Sequence, residues 1–428
     1  MSLNTQPYKG ARDFYPHEKR VQNWIFESWR HTCRSFGFLE YDGPFIEPFE
    51  MYAAKTGDEI VNTQLYSFID RGDRKVAIRP EMTPTLARMV AAKVQELPKP
   101  IRWFSIPNLW RYEKPQKGRL REHWQLNVDI LGGDRLGADR ELISLALSLF
   151  DHVGARGQVT IQVNNRRLMD FLFLQAMKLN LDQALQVSKA IDNFAKITPQ
   201  AFQGWLEKAS LNTDQIGMLN RFLNSDLSQV SAFLPCEGLS ELHNLLDSFK
   251  GRDDVRFNPT IMRGMDYYTG NVFEAYDVSP ENKRALCGGG RYDNLVGLFS
   301  KNSLSGVGFG LGDVTFFDFL QTHNLLPKFK SLIDVFVACP KVELMGLAQS
   351  LCENLRNEGF SVISPLSADS FGAHLKMAAK SECHFALLLG EEELSQKAVQ
   401  VKNLLSGQQA RVLQSEIKEY LRKSLTET

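Results

Sequence analysis

The chain has 428 residues, enough for two or three domains with a core in each, and its 28 phenylalanines leave no shortage of core material. Acidic and basic residues balance at 50 each, so a nucleic-acid partner has to be held by local basic patches and not by overall charge. The six cysteines (Cys33, Cys236, Cys287, Cys339, Cys352, Cys383) are scattered without a CxxC pair, and there is no HExxH. This argues against a disulfide framework or a zinc site and fits the reduced thiols of a cytoplasmic protein. The N-terminus lacks the apolar core of a signal peptide, and no run is long enough to cross a bilayer, so no membrane partner is expected.

In chain order, a polar, turn-rich segment at 8–16 precedes Val21, Trp24, Ile25, Trp29 and Cys33, whose spacing predicts a helix over about 17–35, ended by Gly37. Gly43, Pro44 and Pro48 make 38–49 an extended edge segment. The runs at 64–69 and 75–79 predict a hairpin around 70–73, followed by Arg79, Glu81 and Thr83 and a helix from about 84 to 95.

The stretch 102–132 is the most informative. It begins as an alternating strand (Trp103, Ile106, Leu109) and turns through a charged tip holding Arg111, Glu113, Lys114, Lys117, Arg119 and Arg121, broken by Pro115 and Gly118. It returns with Gln125, Asn127 and Asp129 alternating against Leu126, Val128 and Ile130. A hairpin of the core would not set three polar side chains in a row on one face. Guanidinium forks at its tip suit phosphate oxygens, because each binds two at once. A basic loop taken alone is more often a solvated surface.

A helix is predicted over 139–153 and a strand over 159–163. From about 175 to 250 strand signals vanish, which predicts an inserted helical subdomain. Strand patterns return at 256–263, 271–276 and 284–287, then come Gly288-Gly-Gly-Arg291-Tyr292-Asp293 and the alternating glycines of 306–312. Alternating glycines strip one face of a strand, either for close approach of a ligand or for tight packing beneath a helix. Residues 323–332 form a linker. Beyond it, alternating strands and helices predict a small separate α/β domain with a mostly parallel sheet.

Four polar stretches interrupt these strands, at 79–83, 111–129, 263–268 and 288–293, and their order resembles the class II histidyl-tRNA synthetase family nearly end to end. Arg111-Tyr-Glu-Lys-Pro-Gln-Lys-Gly-Arg-Leu-Arg121 resembles the family's motif 2. Ile78-Arg-Pro-Glu81 is similar to its TLRPE segment. Arg263-Gly-Met-Asp-Tyr-Tyr268 and Gly288-Gly-Gly-Arg-Tyr-Asp293 resemble its two histidine-specific signatures.

The resemblance implies an α+β fold: an antiparallel-sheet class II synthetase catalytic core over 1–325 with a helical insertion at about 175–250, plus a C-terminal α/β anticodon-binding-like domain over 332–428. It implies a ligase that joins histidine and ATP to histidyl-adenylate, with Mg²⁺ bridging the phosphates, and then esterifies tRNA(His). It also implies a homodimer formed across about 17–48, to which Trp24 and Trp29 could contribute. On the matched positions, Arg111 and Arg263 would hold the α-phosphate from two sides. Glu113, Arg119 and Arg121 would join them around ATP. Glu81, Thr83 and Gln125 would take the substrate's α-ammonium group, and Asp129, Tyr267 and Tyr268 its imidazole. One position departs from the family: the arginine of motif 3 that stacks on adenine is here Thr315, with Arg291 a candidate to replace it. That departure keeps open a second expectation, a non-catalytic, histidine-binding paralogue acting as regulatory subunit of ATP phosphoribosyltransferase.

Overall fold

The computed structural model describes residues 3–53, 63–194, 197–262, 268–301 and 303–426. Arg263 and Tyr267 lie outside the described residues. The chain divides into two units, 1–326 and 327–428.

Helix α1 (Pro16–Ser35) starts on a proline, which has no amide hydrogen to leave unbonded, and buries Val21, Ile25, Phe26, Trp29 and Cys33. Gly37 reverses the chain at φ +77°. Trp29 is fully buried, with Phe26 and Phe316 each 5.5 Å away, so it belongs to the internal core. The extended segment then splits between β1 (Leu39–Glu40) and β2 (Ile46–Pro48), and α2 (Phe49–Ala53) follows. The predicted hairpin is β3 (Ser67–Ile69) and β4 (Lys75–Ile78), which forms a small sheet with β2. Helix α3 (Thr83–Ala92) leaves directly from it, so Glu81 and Thr83 stand where strand gives way to helix.

The principal sheet has nine strands. It is built from β1, β5 (Ile101–Ser105), β6 (Asn108–Trp110), β7 (Glu122–Leu131), β8 (Val159–Asn165), β9 (Val255–Phe257), β10 (Asn271–Asp277), β11 (Ala285–Arg291) and β12 (Gly306–Gly312). The order is β1-β5-β7-β12-β11-β10-β8-β9, with β6 beside β7. Only the outer pairs β1–β5 and β8–β9 are parallel. Helices α4 (Arg135–His152) and, after β12, α11 (Asp313–Thr322) cover one face, where Leu126, Val128, Val307 and Leu311 are buried. Helix α4 begins earlier than its apolar spacing suggests, because the Asp134 carboxylate accepts the Gly137 amide and caps it.

Two features of β11 differ from expectation. The strand runs through all three glycines to Arg291 and does not stop at 287, since Gly288 and Gly290 pair with Gly310 and Gly308 of β12 and with Glu274 and Val272 of β10. Arg291, a candidate for the adenine site, lies on the helix-covered face. Its Nη2 donates to Asp139 Oδ1 and to the Arg135 carbonyl (2.7 Å), and its Nη1 donates to Ser305 Oγ (2.6 Å). The Arg291 and Asp139 side chains are 2 % and 4 % exposed, so this arginine closes a buried ion pair and is not available to a nucleotide. Arg291→Ala is expected to cost about 3–5 kcal/mol in denaturant unfolding, because it strands the Asp139 charge in the interior.

The insertion holds α5 (Arg166–Asp170), extended by a wider helical turn, then α6 (Leu181–Asp192), α7 (Pro199–Lys208), α8 (Thr213–Leu223), α9 (Leu227–Ser231) and α10 (Glu237–Asp247). Three of these starts carry a reciprocal box, Asn180 with Gln183, Asn212 with Gln215 and Asp226 with Gln229.

The second unit has a five-stranded sheet made of β13 (Val335–Ala338), β14 (Val362–Ile363), β15 (Phe385–Leu388), β16 (Ala398–Asn403) and β17 (Gln409–Leu413), in the order β14-β13-β15-β16-β17. The sheet is mixed, not mostly parallel: β13 pairs parallel with β14 and β15, while β16 pairs antiparallel with β15 and β17. A tight turn with Gly407 at φ +75° joins β16 to β17, and so short a connection permits only antiparallel pairing.

Candidate active site

The face of the large sheet opposite α4 and α11 carries the site, and α3 packs over one end of it against Ile101, Leu131, Val272 and Tyr292. Strand β7 presents His123, Gln125, Asn127 and Asp129 there, because side chains alternate with period two. Its register with β12 sets Asp129 beside Gly308, Asn127 beside Gly310 and Gln125 beside Gly312. The glycines are what let the polar side chains lie across the next strand. A Cβ on Gly308 would collide with Asp129 Oδ1, and one on Gly310 with the Gln125 amide. Gly308→Ala is therefore expected to raise the KM for any ligand held by Asp129 and, because the Cβ also stands 2.9 Å from the Val128 carbonyl, to lower the Tm, measured by steady-state kinetics beside a thermal melt.

Two cavities open on this face, each of about 400 Å³. The first is lined by Glu81, Thr83, Gln125, Asp129, Tyr268 and Tyr292 among others. The site residues expected around the amino acid thus converge, apart from Tyr267. Glu81 and Asp129 are 3 % and 2 % exposed. Burial pushes the Asp129 carboxyl up to about 7, opposed by the Tyr292 hydroxyl that donates to its Oδ1. Asp129 Oδ2 is buried with no hydrogen-bond partner among the described residues. A buried acceptor in that state can take a donor from a ligand.

The second cavity is lined by Arg111, Glu113, Arg119, His123 and Thr315, with Gly118 and Gly312 in its wall. Arg119 Nε lies 2.7 Å from Glu113 Oε2. Burial, followed by the charges of Arg111, Arg12 and Arg119, pushes the His123 imidazole down to about 3, so its ring is neutral. The Thr315 hydroxyl turns to backbone, donating to the Gly312 and Leu286 carbonyls at 3.1 and 3.3 Å.

Arg111 lines both cavities. Its Nε donates to the Pro80 carbonyl at 2.9 Å, while its two Nη groups make no hydrogen bond among the described residues. It is a guanidinium anchored at one edge, with the fork left open between a pocket that holds two carboxyl groups and a basic one.

Arg121 is not part of this arrangement. It stacks on the Tyr112 ring at 4.0 Å and donates to the Tyr8 hydroxyl at 3.0 Å, with its stem against Gly10. Beyond the tight Gln116–Arg119 bridge, with Gly118 at φ +73°, Arg119 pairs with Glu113 at the cavity while Arg121 turns to Tyr8 and Tyr112. Three site residues had no role assigned from the sequence. His123 and Asn127 share the alternation of Gln125 and Asp129, and Tyr292 continues that of Gly288 and Gly290 once β11 is carried to its full length.

A model of the histidyl-tRNA synthetase family matches residues 10–313, and one of the anticodon binding domain matches 334–424. The histidine–tRNA ligase of Leptospira biflexa is 45% identical over 414 residues, 95% of each chain. That of Thermoplasma volcanium is 36% identical over 432 residues, 99% of each. Among solved structures, the histidyl-tRNA synthetase of Nostoc sp. PCC 7120 superposes with a TM-score of 0.80 at 24% identity, covering 99% of this chain and 100% of that one, which speaks for the fold alone. With matches of this length at this identity, the chain belongs to the histidyl-tRNA synthetase family.

Proposed function

We propose that the chain activates histidine with ATP to histidyl-adenylate, releasing pyrophosphate, and transfers the histidyl group to the 3′ end of tRNA(His). The observation that carries this reading is Arg111, whose open fork lies where the two cavities meet. The α-phosphate and the histidine carboxylate have to meet at such a point for in-line attack, and a fixed guanidinium there stabilises the charge that builds on the phosphorus oxygens. Glu81, Thr83 and Gln125 hold the α-ammonium group. Asp129 accepts one imidazole N–H through its unpartnered Oδ2, Tyr292 orients that carboxylate, and the Tyr268 hydroxyl serves the other ring nitrogen. Glu113 and Arg119 orient the nucleotide, and Arg263 joins them by its place in the family signature.

Glu113 is the carboxylate in the nucleotide cavity, and one carboxylate with substrate phosphates is a donor set that suits Mg²⁺. Bound there, the ion would offset phosphate charge. A homodimer is supported by the exposed apolar side chains of Leu39, Phe45, Ile46, Phe68 and Ile69, which a second copy would cover. The six cysteines are free thiols, in keeping with the cytoplasm.

A regulatory histidine sensor has no use for a second cavity lined by Arg111, Glu113 and Arg119. Charging of a tRNA(His) transcript with labelled histidine separates the two readings. An alkali-labile ester that depends on ATP is expected, and folded protein that leaves intact tRNA uncharged overturns the reading.

A further inference from the structure

Thr315 lines the nucleotide cavity and brings no charge to it, so the proposed ligase reading leaves the adenine without the cation expected at this position from the resemblance to motif 3. We propose that Arg284, on the turn between β10 and β11, supplies the guanidinium that residue 315 lacks and lays it on the adenine of ATP. The inference rests on the assignment of the second cavity to ATP.

Gly118 and Thr315 belong both to that cavity and to a neighbouring open recess lined by Lys117, Arg284 and Asp318, so Arg284 stands at the mouth of the nucleotide site. Its stem and Thr315 converge on one glycine. A Cβ on Gly118 would stand 3.4 Å from Arg284 Cδ and 3.5 Å from Thr315 Cγ2.

Two of the neighbouring arginines are already paired with carboxylates. Arg119 is 2.7 Å from Glu113, and Arg12 is 2.7 Å from Asp313. Lys117 sits near enough to Asp318 to hold down the rise that burial causes in that carboxyl. Arg284 is exposed and makes no hydrogen bond or ion pair among the described residues. A flexible, unpaired guanidinium beside a short hydroxyl side chain can swing over the cavity once a nucleotide enters. The base, and not a phosphate, is the part it meets. His123 offers the cavity a flat ring that is neutral at working pH, and an aromatic face without charge suits a purine. Arginine stacks on such a face through its planar guanidinium, which an ammonium group cannot imitate.

Direct ATP binding by calorimetry, alongside histidine-dependent ATP–pyrophosphate exchange, tests the inference. Arg284→Ala is expected to raise the Kd and the KM for ATP by roughly 3- to 30-fold and to leave the KM for histidine and kcat unchanged. Arg284→Lys recovers less than half of that loss on a logarithmic scale. Thr315→Arg in the Arg284→Ala background restores ATP affinity, whereas Thr315→Arg alone brings no gain, because two guanidiniums then compete for one face. Because Arg284 is exposed and unpaired, its removal leaves folding intact. ATP affinity unchanged in Arg284→Ala overturns the inference, as does an equal gain from Thr315→Arg in both backgrounds. Weakened ATP binding in a protein that shows no exchange would leave Arg284 in place and remove the ligase reading instead.

Discussion

Replacing Arg111 with alanine is expected to lower kcat for histidine activation by roughly 10²–10³-fold, the usual loss when a donor aimed at a transition-state oxyanion is removed. The KM for histidine should change far less, since Glu81, Gln125 and Asp129, the proposed contacts of the amino acid, line the first cavity independently of it. Its Nε bond to the Pro80 carbonyl at 2.9 Å fixes the plane of the guanidinium, which under this proposal lets both Nη groups meet the phosphorus oxygens without reorganisation. Arg111→Lys should not rescue, because a single ammonium charge cannot hold the Pro80 carbonyl and bridge two oxygens at once. Pyrophosphate exchange at saturating histidine and ATP measures this. A kcat within a few-fold of the parent in Arg111→Ala would take the reacting phosphate away from the junction of the cavities.

The second large effect lies at Asp129. Asp129→Asn is expected to lower kcat/KM for histidine by about two to three orders of magnitude, the cost of losing one partner of a buried, charged hydrogen bond, while the KM for ATP stays put. The carboxyl has been pushed up to about 7 by burial, so in the unliganded protein it is ionised above that pH and protonated below it. Histidine binding should weaken as pH falls through 7, and the limb of the kcat/KM profile near 7 should vanish in Asp129→Asn. Stability moves the opposite way. Between the ordinary carboxyl range and pH 7 the folded state binds a proton at Asp129 that the unfolded state has lost. This group's contribution is therefore fully present at low pH and is lost as pH rises through 7. Paired melts of parent and Asp129→Asn from pH 5 to 8 read that difference directly.

The binding face could be read from the chain because it breaks a rule. Gln125, Asn127 and Asp129 occupy positions of β7 where a core strand would set apolar side chains, and the glycines of β12 mark the neighbour that makes room for them. The anionic-ligand side was partly legible. Motif 2 gave Arg111, Glu113 and Arg119, but Arg121 in the same loop packs against Tyr8 and Tyr112 instead. Local sequence does not say on which side of a two-residue turn a side chain will leave. Arg291 misled for a related reason. Its sequence neighbours are polar, yet its strand position faces α4, and only the fold brings Asp139 to it. Strand β11 itself was cut short because glycine has no side chain to show an apolar alternation. In the C-terminal unit, the alternation of strands and helices was visible, but the sheet is mixed because the last two strands are joined by a turn, and periodicity carries no information on strand direction.

A crystal structure with the non-hydrolysable sulfamoyl analogue of histidyl-adenylate tests the arrangement most directly. The account predicts the imidazole against Asp129 Oδ2 and the Tyr268 hydroxyl, the sulfamoyl group on the Arg111 fork, and the adenine in the cavity of Glu113, His123 and Thr315. An analogue bound with its ring away from Asp129, or with Arg111 turned from the sulfamoyl oxygens, would contradict it.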